Sequence, residues 1–252
     1  MTDKLEANWD TWDYGSREPL FLPLSEFTER EKDLLIKSNT FCMLPWIHIH
    51  GYPDGKAYPC CLADYNHPVG SLKENTMEEV WRDKPMQQMR ENMLADKPCV
   101  ECTKCYEQEK TGFFSMRNSS NQTFGHHIKE TLTSDKLKIR YYDIRFSNLC
   151  NFSCRSCGDI FSSNWTKEYK EYGWLPKDHP NVTYAGRFKT DIWEQTLPHV
   201  PYFQEVYFAG GEPLMMQEHW DLLDELIKQG RTDVKLVYNT NFSETVFKGR
   251  DV

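Results

Sequence analysis

Three cysteines directly after an apolar run constrain this chain more than any other feature of its sequence. They are Cys150, Cys154 and Cys157, spaced C-x3-C-x2-C, and they follow the strand-like run YYDIRFS. Three thiolates on one tight loop can hold three irons of a cubane [4Fe–4S] cluster, which leaves the fourth iron without a protein ligand and open to chemistry. The alternative is a zinc site, but structural zinc generally takes four protein ligands.

Composition and charge narrow the class of protein. The chain has 252 residues, of which 39% are hydrophobic and 14% aromatic, so we expect a folded protein with a sizeable core. A net charge of −8 gives no electrostatic basis for binding nucleic acid or an anionic membrane. The sequence has no apolar run of about 20 residues, and its polar start does not resemble a signal peptide. We therefore expect a cytoplasmic protein that binds neither nucleic acid nor membrane.

The cysteine count supports metal or cluster binding. The chain has nine cysteines, an odd number, and they are clustered. A clustered, odd set without an export signal argues against a disulfide framework. Ligation of a metal or an iron–sulfur cluster in a reducing compartment is the better interpretation.

Six of the nine cysteines lie upstream, in a predicted hairpin and in the loop after a predicted helix. The hairpin covers FCMLPWIHIHGYPDGKAYPCC, with strand alternation through Trp46, Ile47 and Ile49 and a turn at PDG. A helical pattern with buried-type methionines follows over residues 76–94. The cysteines of this region are Cys42, Cys60 and Cys61 on the hairpin and Cys99, Cys102 and Cys105 after the helix.

From Tyr141 onward, strand-like runs alternate with helical patterns. Strands are predicted in YYDIRFS, EVYFAGGEPL and VKLVYNTNF, with helices at residues 160–172 and 218–229. This alternation is typical of parallel strands with right-handed crossovers, whose sites lie at the carboxyl ends. The cysteine loop, the segment at 210–213 and the strand exit at 239–241 all fall at such ends.

The segment Gly210-Gly211-Glu212-Pro213 has the composition of a ligand-binding turn. Two glycines at a strand end let the backbone approach a ligand closely, and Glu212 supplies a carboxylate that can meet an ammonium group. Together with the C-x3-C-x2-C loop one βα unit earlier, this segment resembles the GGEP segment of the radical S-adenosylmethionine (SAM) superfamily.

This resemblance implies a site and a reaction. Its catalytic cluster ligands are Cys150, Cys154 and Cys157, and its SAM-binding residues are Gly210, Gly211, Glu212, Pro213, Asn239 and Asn241. One electron from the cluster would cleave SAM to methionine and a 5′-deoxyadenosyl radical, which abstracts hydrogen from a peptide, protein or small-molecule substrate. An electron donor such as flavodoxin or ferredoxin is also implied. The residue before the third cysteine is Ser156, where the family commonly has an aromatic residue that packs on adenine. Arg145 and Arg155 are expected to form salt bridges.

The upstream cysteines resemble a second element of the same superfamily. Three features resemble the twitch or SPASM auxiliary-cluster domain: the spacing Gly55-x4-Cys60, the later C-x2-C and the segment CYEQEKTGFFSMR. The resemblance implies an auxiliary iron–sulfur cluster whose best ligands are Cys42, Cys60, Cys102 and Cys105. Cys61 and Cys99 are the spare cysteines, and Cys99 is kept as a further candidate ligand. A zinc ribbon is the alternative, because four thiolates suit either metal.

The sequence therefore predicts an α/β protein in three parts. Residues 1–35 form an N-terminal arm, residues 36–135 a small α+β twitch-like auxiliary domain, and residues 136–252 the first half of a (β/α)6-type radical SAM barrel. Residues 118–138 are expected to be a polar linker or edge loop. Because three strands make half a barrel, we expect either that the chain is a truncated product or that a second chain completes the barrel. The competing function is a non-catalytic iron–sulfur or zinc protein for electron transfer or binding, or an inactive fragment.

Overall fold

The computed structural model describes residues 22–251, so most of the predicted N-terminal arm lies outside the described residues. The described part of the arm contains a short helix, α1 (Glu29–Lys32), which continues as a π-helical turn at Asp33–Lys37. Thr28 caps α1, because its hydroxyl accepts from the Glu31 N–H while the Glu31 side chain accepts from the Thr28 N–H.

One six-stranded, largely parallel sheet forms the centre of this mixed α/β fold. Its strands are β1 His50–Gly51, β2 Lys56–Tyr58, β3 Gly70–Ser71, β4 Tyr141–Ile144, β5 Glu205–Phe208 and β6 Lys235–Tyr238. They run in the order β3-β2-β1-β4-β5-β6. The pairs β1–β4, β4–β5 and β5–β6 are parallel, whereas β1–β2 and β2–β3 are antiparallel. A separate hairpin is formed by β7 (Val246–Phe247) and β8 (Arg250–Asp251).

The upstream hairpin and the downstream strands share this sheet. In the pairing of β1 with β4, His50 lies opposite Asp143 and Gly51 opposite Ile144. Residues assigned from the sequence to an auxiliary domain and to a barrel are thus joined by backbone hydrogen bonds. Within residues 22–251 the sheet ends at β3 on one side and at β6 on the other.

Strand β4 is buried on both faces, as expected for a strand inside a parallel sheet. On one face Tyr142 packs on Phe203, with ring centroids 5.0 Å apart, and shares a 2.8 Å hydrogen bond with the Thr196 hydroxyl. On the other face lies Asp143, beside His50 of β1. The two faces of β4 therefore differ, with an aromatic contact on one and a buried carboxylate on the other.

Helices cover the remaining surfaces of the sheet. They are α2 Leu44–Ile47, α3 Met77–Arg82, α4 Lys84–Leu94, α5 Thr103–Lys110, α6 Met116–Phe124, α7 Ile128–Thr133, α8 Ser163–Glu171, α9 Asp191–Thr196 and α10 Gln217–Lys228. Met77, Met86, Met89 and Met93 are each at most 2% exposed, so their predicted role as core residues is confirmed. The helices predicted at 160–172 and 218–229 are confirmed as α8 and α10. No described helix combines the length and the apolar character that crossing a membrane requires.

The predicted first strand of the hairpin is wrong in its early part. Residues Leu44–Ile47 form α2, and strand pairing starts only at His50. Pro45 stands at the start of this turn, where its fixed φ suits a helix and its missing N–H costs nothing. The apolar alternation through Trp46 and Ile47 therefore reflects burial in a helical turn.

The predicted linker at 118–138 is also wrong. This region forms α6 and α7, and Ser115 caps α6 in a capping box with Asn118. Its polar composition misled the sequence interpretation because some of its polar side chains are buried and bonded. Asn121 is 3% exposed, and its amide accepts from the Met43 N–H and donates to the Phe41 carbonyl.

Candidate functional site

The loop that carries Cys150, Cys154 and Cys157 is clamped by the start of α8. The Ser163 hydroxyl accepts from the Cys150 N–H at 3.2 Å and donates to the Cys150 carbonyl at 3.0 Å. The Trp165 indole donates to the Cys154 carbonyl at 2.8 Å, and the Cys157 N–H donates to that carbonyl at 3.0 Å. The loop backbone at Cys150 and Cys154 is therefore held in place by α8.

The three thiols of this loop differ in exposure. Cys154 is exposed, whereas Cys150 and Cys157 are half-buried. Burial raises the pKa of Cys150, and the nearby Glu212, Cys154 and Cys157 raise it further, although the Phe152 N–H lowers it. The three sulfurs and the Glu212 carboxylate thus lie close enough to influence one another electrostatically.

The segment Gly210–Pro213 lies directly against the cysteine loop. The Glu212 N–H donates to the Leu149 carbonyl at 2.7 Å, and the Gly211 N–H donates to the Phe161 carbonyl at 3.2 Å. Gly211 has a φ of +61°, and a Cβ added to it would lie 2.5 Å from the Leu149 carbonyl oxygen. Only glycine allows this close approach of the two loops.

The end of β6 lies against Glu212 and the cysteine loop, and these three segments together form one corner of the fold. Glu212 is 1% exposed, and its carboxylate accepts from the Thr240 hydroxyl at 2.6 Å and from the Asn241 N–H at 2.7 Å. The Asn241 side chain donates to the Cys150 sulfur at 3.8 Å. Asn239 is exposed, and its N–H extends the ladder to the Phe208 carbonyl. The structure therefore places Asn241, but not the Asn239 side chain, beside the cysteine loop.

Four of the upstream cysteines line one pocket. They are Cys42, Cys60, Cys102 and Cys105. Cys42 precedes α2, Cys60 follows β2, Cys102 ends a 3-10 turn and Cys105 lies in α5. The pocket holds about 330 Å³ of space, counted out to the solvent at its mouth. Four cysteines that line one pocket are a donor set that suits an iron–sulfur cluster. Among residues 22–251, no three His, Cys, Asp or Glu side chains converge closely enough to hold a single metal ion.

Burial is the main influence on the pKa of the thiols in this pocket. Burial raises the pKa of all four cysteines. Arg117 also lines the pocket, and its guanidinium works against burial by lowering the pKa of Cys42 and Cys105. Arg117 itself donates to the Ser38 and Phe41 carbonyls and forms an ion pair with Glu109. Arg117 was not singled out from the sequence, although it is the last residue of the segment CYEQEKTGFFSMR.

The two spare cysteines lie outside the residues that line the pocket. The Cys99 thiol is buried and points to the Met89 carbonyl at 3.7 Å. Cys61 lies against the polar face of β4, where burial raises the pKa of its thiol to about 12 and Asp143 adds to the rise.

A buried charged cluster joins β1 to β4 between the two cysteine sites. The His50 Nδ1 atom lies 3.2 Å from the Asp143 Oδ2 atom, and both side chains are fully buried. The Arg145 Nε atom lies 2.8 Å from the Asp143 Oδ1 atom, which confirms the predicted salt bridge of Arg145. Burial alone would raise the pKa of Asp143, but His50 and Arg145 lower it to about 2. The carboxylate is therefore charged at neutral pH.

Comparison with known proteins identifies part of this chain. Residues 42–106 match the SPASM family, described as an iron-sulfur cluster-binding domain. The match contains all four cysteines of the pocket, and it ends before the Cys150 loop. Neither the curated proteins nor the solved structures contain a match to this chain. The chain thus carries, at residues 42–106, a segment similar to the SPASM iron–sulfur cluster-binding domain.

Proposed function

We propose that this protein is a radical SAM enzyme with an auxiliary iron–sulfur cluster. One observation carries the proposal: the Cys150 loop, the Gly210–Pro213 segment and Asn241 meet at the carboxyl ends of three adjacent parallel strands. The carboxyl edge of such a sheet is where α/β enzymes place their chemistry. The SPASM match supports it, because this domain usually accompanies radical SAM enzymes.

In this proposal Cys150, Cys154 and Cys157 hold a [4Fe–4S] cluster with one open iron. When bound, the cluster supplies the electron that cleaves SAM. Gly210 and Gly211 present bare backbone to the amino end of SAM. Asn241 hydrogen-bonds the Cys150 sulfur, and such bonds tune the reduction potential of a cluster. Glu212, whose carboxylate is already engaged by Thr240 and Asn241, fixes the shape of this corner.

The second cluster is assigned to the pocket of the SPASM-like segment. Its proposed ligands are Cys42, Cys60, Cys102 and Cys105. Cys99 lies near Cys102 and would serve as a ligand only after its thiol turns from the Met89 carbonyl. A reduced flavodoxin or ferredoxin is the proposed electron donor, and a peptide, protein or small molecule the proposed substrate. The enzyme is proposed to act in the cytoplasm, because exposed iron–sulfur clusters require reducing conditions.

The experiment is SAM cleavage by the anaerobically reconstituted protein. The protein is loaded with iron and sulfide, reduced with dithionite and given SAM, and 5′-deoxyadenosine is quantified by mass spectrometry. We expect 5′-deoxyadenosine from the wild type and none above background from Cys157→Ala. Because Cys157 lies outside the SPASM-like segment, that variant should keep its auxiliary cluster. Two reducible clusters with no SAM-dependent change in the electron paramagnetic resonance (EPR) spectrum would instead support an electron carrier. Stoichiometric zinc in the protein as isolated would support the zinc alternative.

A further inference from the structure

The charged cluster between β1 and β4 reaches the proposed SAM site through a single side chain. We propose that Asp143 is a positioning residue: it holds Arg145 against Gly210, and Arg145 in turn sets the backbone of Gly210–Glu212 and hence the affinity for SAM. His50, from the SPASM-like segment, holds Asp143 from the other side. This inference rests on the proposed function, and it connects the SPASM-like segment to the proposed SAM site.

Arg145 occupies the space beside Gly210 that a side chain would fill. A Cβ added to Gly210 would lie 2.6 Å from the Arg145 Cδ atom and 2.8 Å from its Cβ and Cγ atoms. Gly210 has a φ of +76°, so both its backbone conformation and its packing exclude other residues. The aliphatic part of Arg145 is therefore one wall of the turn that leads into Glu212.

The position of Arg145 is set by its partners. Its backbone N–H donates to the Gly51 carbonyl at 2.8 Å, and its guanidinium pairs with Asp143 while lying 5.3 Å from the ring of Tyr207. The Arg145 side chain is 12% exposed, so it has a route towards solvent. Without the Asp143 charge, the guanidinium gains hydration by moving outward, and the wall beside Gly210 is lost.

Asp143 is in turn fixed by β1. Its Oδ2 atom lies 3.2 Å from the His50 Nδ1 atom, and the carboxylate is close enough to the Cys61 thiol to raise the pKa of that thiol. Asp143 and His50 are each 0% exposed, so water does not compete for these contacts. The path from His50 through Asp143 and Arg145 to Gly210 consists of packed or paired groups throughout. It makes the SAM segment depend on residues of the auxiliary segment.

The first test is Asp143→Asn, which keeps the shape of the side chain and removes its charge. We expect SAM to bind about tenfold more weakly, with a raised KM and a smaller change in kcat. Binding is measured by equilibrium dialysis of SAM against reconstituted protein and by the SAM-induced change in the EPR spectrum. Tyr142→Phe is the matched control, since it removes a buried hydrogen bond from the opposite face of the same strand. We expect the control to bind SAM like the wild type.

A second readout needs no cofactor. In the empty protein we expect Asp143→Asn to speed amide hydrogen exchange at Gly211 and Glu212, whose N–H groups bond to Phe161 and Leu149. Exchange in α4, which packs on α2 and α3, should stay unchanged. A uniform rise in exchange over the whole chain would indicate general destabilisation and overturn the inference.

Because Asp143→Asn leaves a buried guanidinium without its counterion, it can prevent folding. In that case two variants of His50 test the inference. His50→Asn keeps a donor near the Nδ1 position, whereas His50→Leu removes it and fills similar space. We expect His50→Leu to weaken SAM binding and His50→Asn to restore most of it, with iron content equal in both. Equal SAM affinity in the two His50 variants would overturn the inference.

The outcomes separate this inference from the proposed function. A wild-type protein that neither binds nor cleaves SAM overturns the proposed function, and the inference falls with it. A wild type that binds SAM, beside a folded Asp143→Asn variant with affinity within about twofold, overturns the inference alone.

Discussion

The hydroxyl of Thr240 donates to the carboxylate of Glu212 at 2.6 Å, and this contact joins the ends of β6 and β5. The same carboxylate accepts from the Asn241 N–H at 2.7 Å and from the Leu214 N–H at 3.1 Å. Three donors from two chain segments thus converge on one buried side chain. The corner beside the cysteine loop is therefore held together by hydrogen bonds of the chain itself.

Glu212→Gln should destabilise the empty protein. The amide has one acceptor oxygen and no charge, so at least one of the three donors loses a charge-assisted partner. We expect a loss of about 2 kcal/mol in the free energy of unfolding, measured by urea denaturation of the apoprotein. Thr240→Val removes one donor and should cost about 1 kcal/mol. If both variants unfold like the wild type, the carboxylate does not organise this corner.

Iron content should report the division of the cysteines into two sites. Anaerobic reconstitution of the wild type should give about eight irons per chain, as two [4Fe–4S] clusters. Replacing Cys150, Cys154 and Cys157 by alanine should leave about four irons, because the pocket of the SPASM-like segment is untouched. Iron and sulfide are measured colorimetrically and the clusters by EPR.

Cys61→Ala is the matched control for the iron measurement. Cys61 adjoins Cys60 in the chain but lies against Asp143, outside the residues that line the pocket. Its loss should leave the iron content unchanged. A drop of about four irons on losing Cys61 would mean that Cys61, and not one of the four pocket cysteines, ligates the auxiliary cluster.

Arg117→Met should lower the reduction potential of the auxiliary cluster. Arg117 is 5% exposed and lines the pocket with the four cysteines, so its positive charge favours addition of an electron there. Its removal should shift the potential to more negative values by on the order of tens of millivolts, measured by an EPR-monitored redox titration.

Two variants control for loss of an arginine as such. Arg117→Lys keeps the charge and should stay near the wild-type potential. Arg90→Met removes a half-buried arginine that donates to the Pro45 and Trp81 carbonyls and does not line the pocket. An Arg90→Met shift as large as that of Arg117→Met would contradict a local charge effect.

The apoprotein should lose stability in mild acid. Burial lowers the pKa of His48 from 6.5 to about 4, and likewise that of His127 and His219. Below about 6.5 the unfolded chain takes up protons that the folded chain refuses, so stability is complete above that pH and falls as pH drops towards 4. The pKa shift of His48 alone should account for a loss of on the order of 3 kcal/mol in the free energy of unfolding as the pH drops towards 4. Urea unfolding from neutral pH down to about 5 measures the slope.

His48→Asn tests the contribution of His48 to this slope. The His48 Nδ1 atom lies 2.7 Å from the Tyr141 carbonyl, and an asparagine amide can keep a donor there without titrating. The variant should therefore show a shallower loss of stability with acid. An unchanged slope would assign the acid sensitivity to other groups.

The grouping of the cysteines in the fold was largely predictable because it follows from their local spacing. The C-x3-C-x2-C loop, the two glycines before Glu212 and the four pocket cysteines all sit where turns and element ends put them. The hydrogen bonds of Glu212 to Thr240 and Asn241 were not predicted. They join side chains 28 and 29 positions apart, and no periodic pattern records such a contact.

The errors have a common physical cause. Polar residues at 118–138 resembled a linker, yet Ser120 and Asn121 are buried because their side chains find backbone partners. The pairing of β1 with β4 was missed because β1 has only two residues, too few for an alternating pattern. In both regions the structure is determined by tertiary hydrogen bonds, and the partners in these bonds lie far apart in sequence.

The pairing of β1 with β4 also has a consequence for the order of assembly. It closes a long loop, as the contact between His48 and Tyr141 joins residues 93 positions apart. Closing such a loop costs entropy before any contact offsets it, so this step comes late in folding. We therefore expect the local contacts of the hairpin to form before β1 pairs with β4. Because β1 lies within residues 42–106 and β4 leads into the Cys150 loop, we expect that exchanging residues 42–106 between chains would also disturb the strand beside that loop.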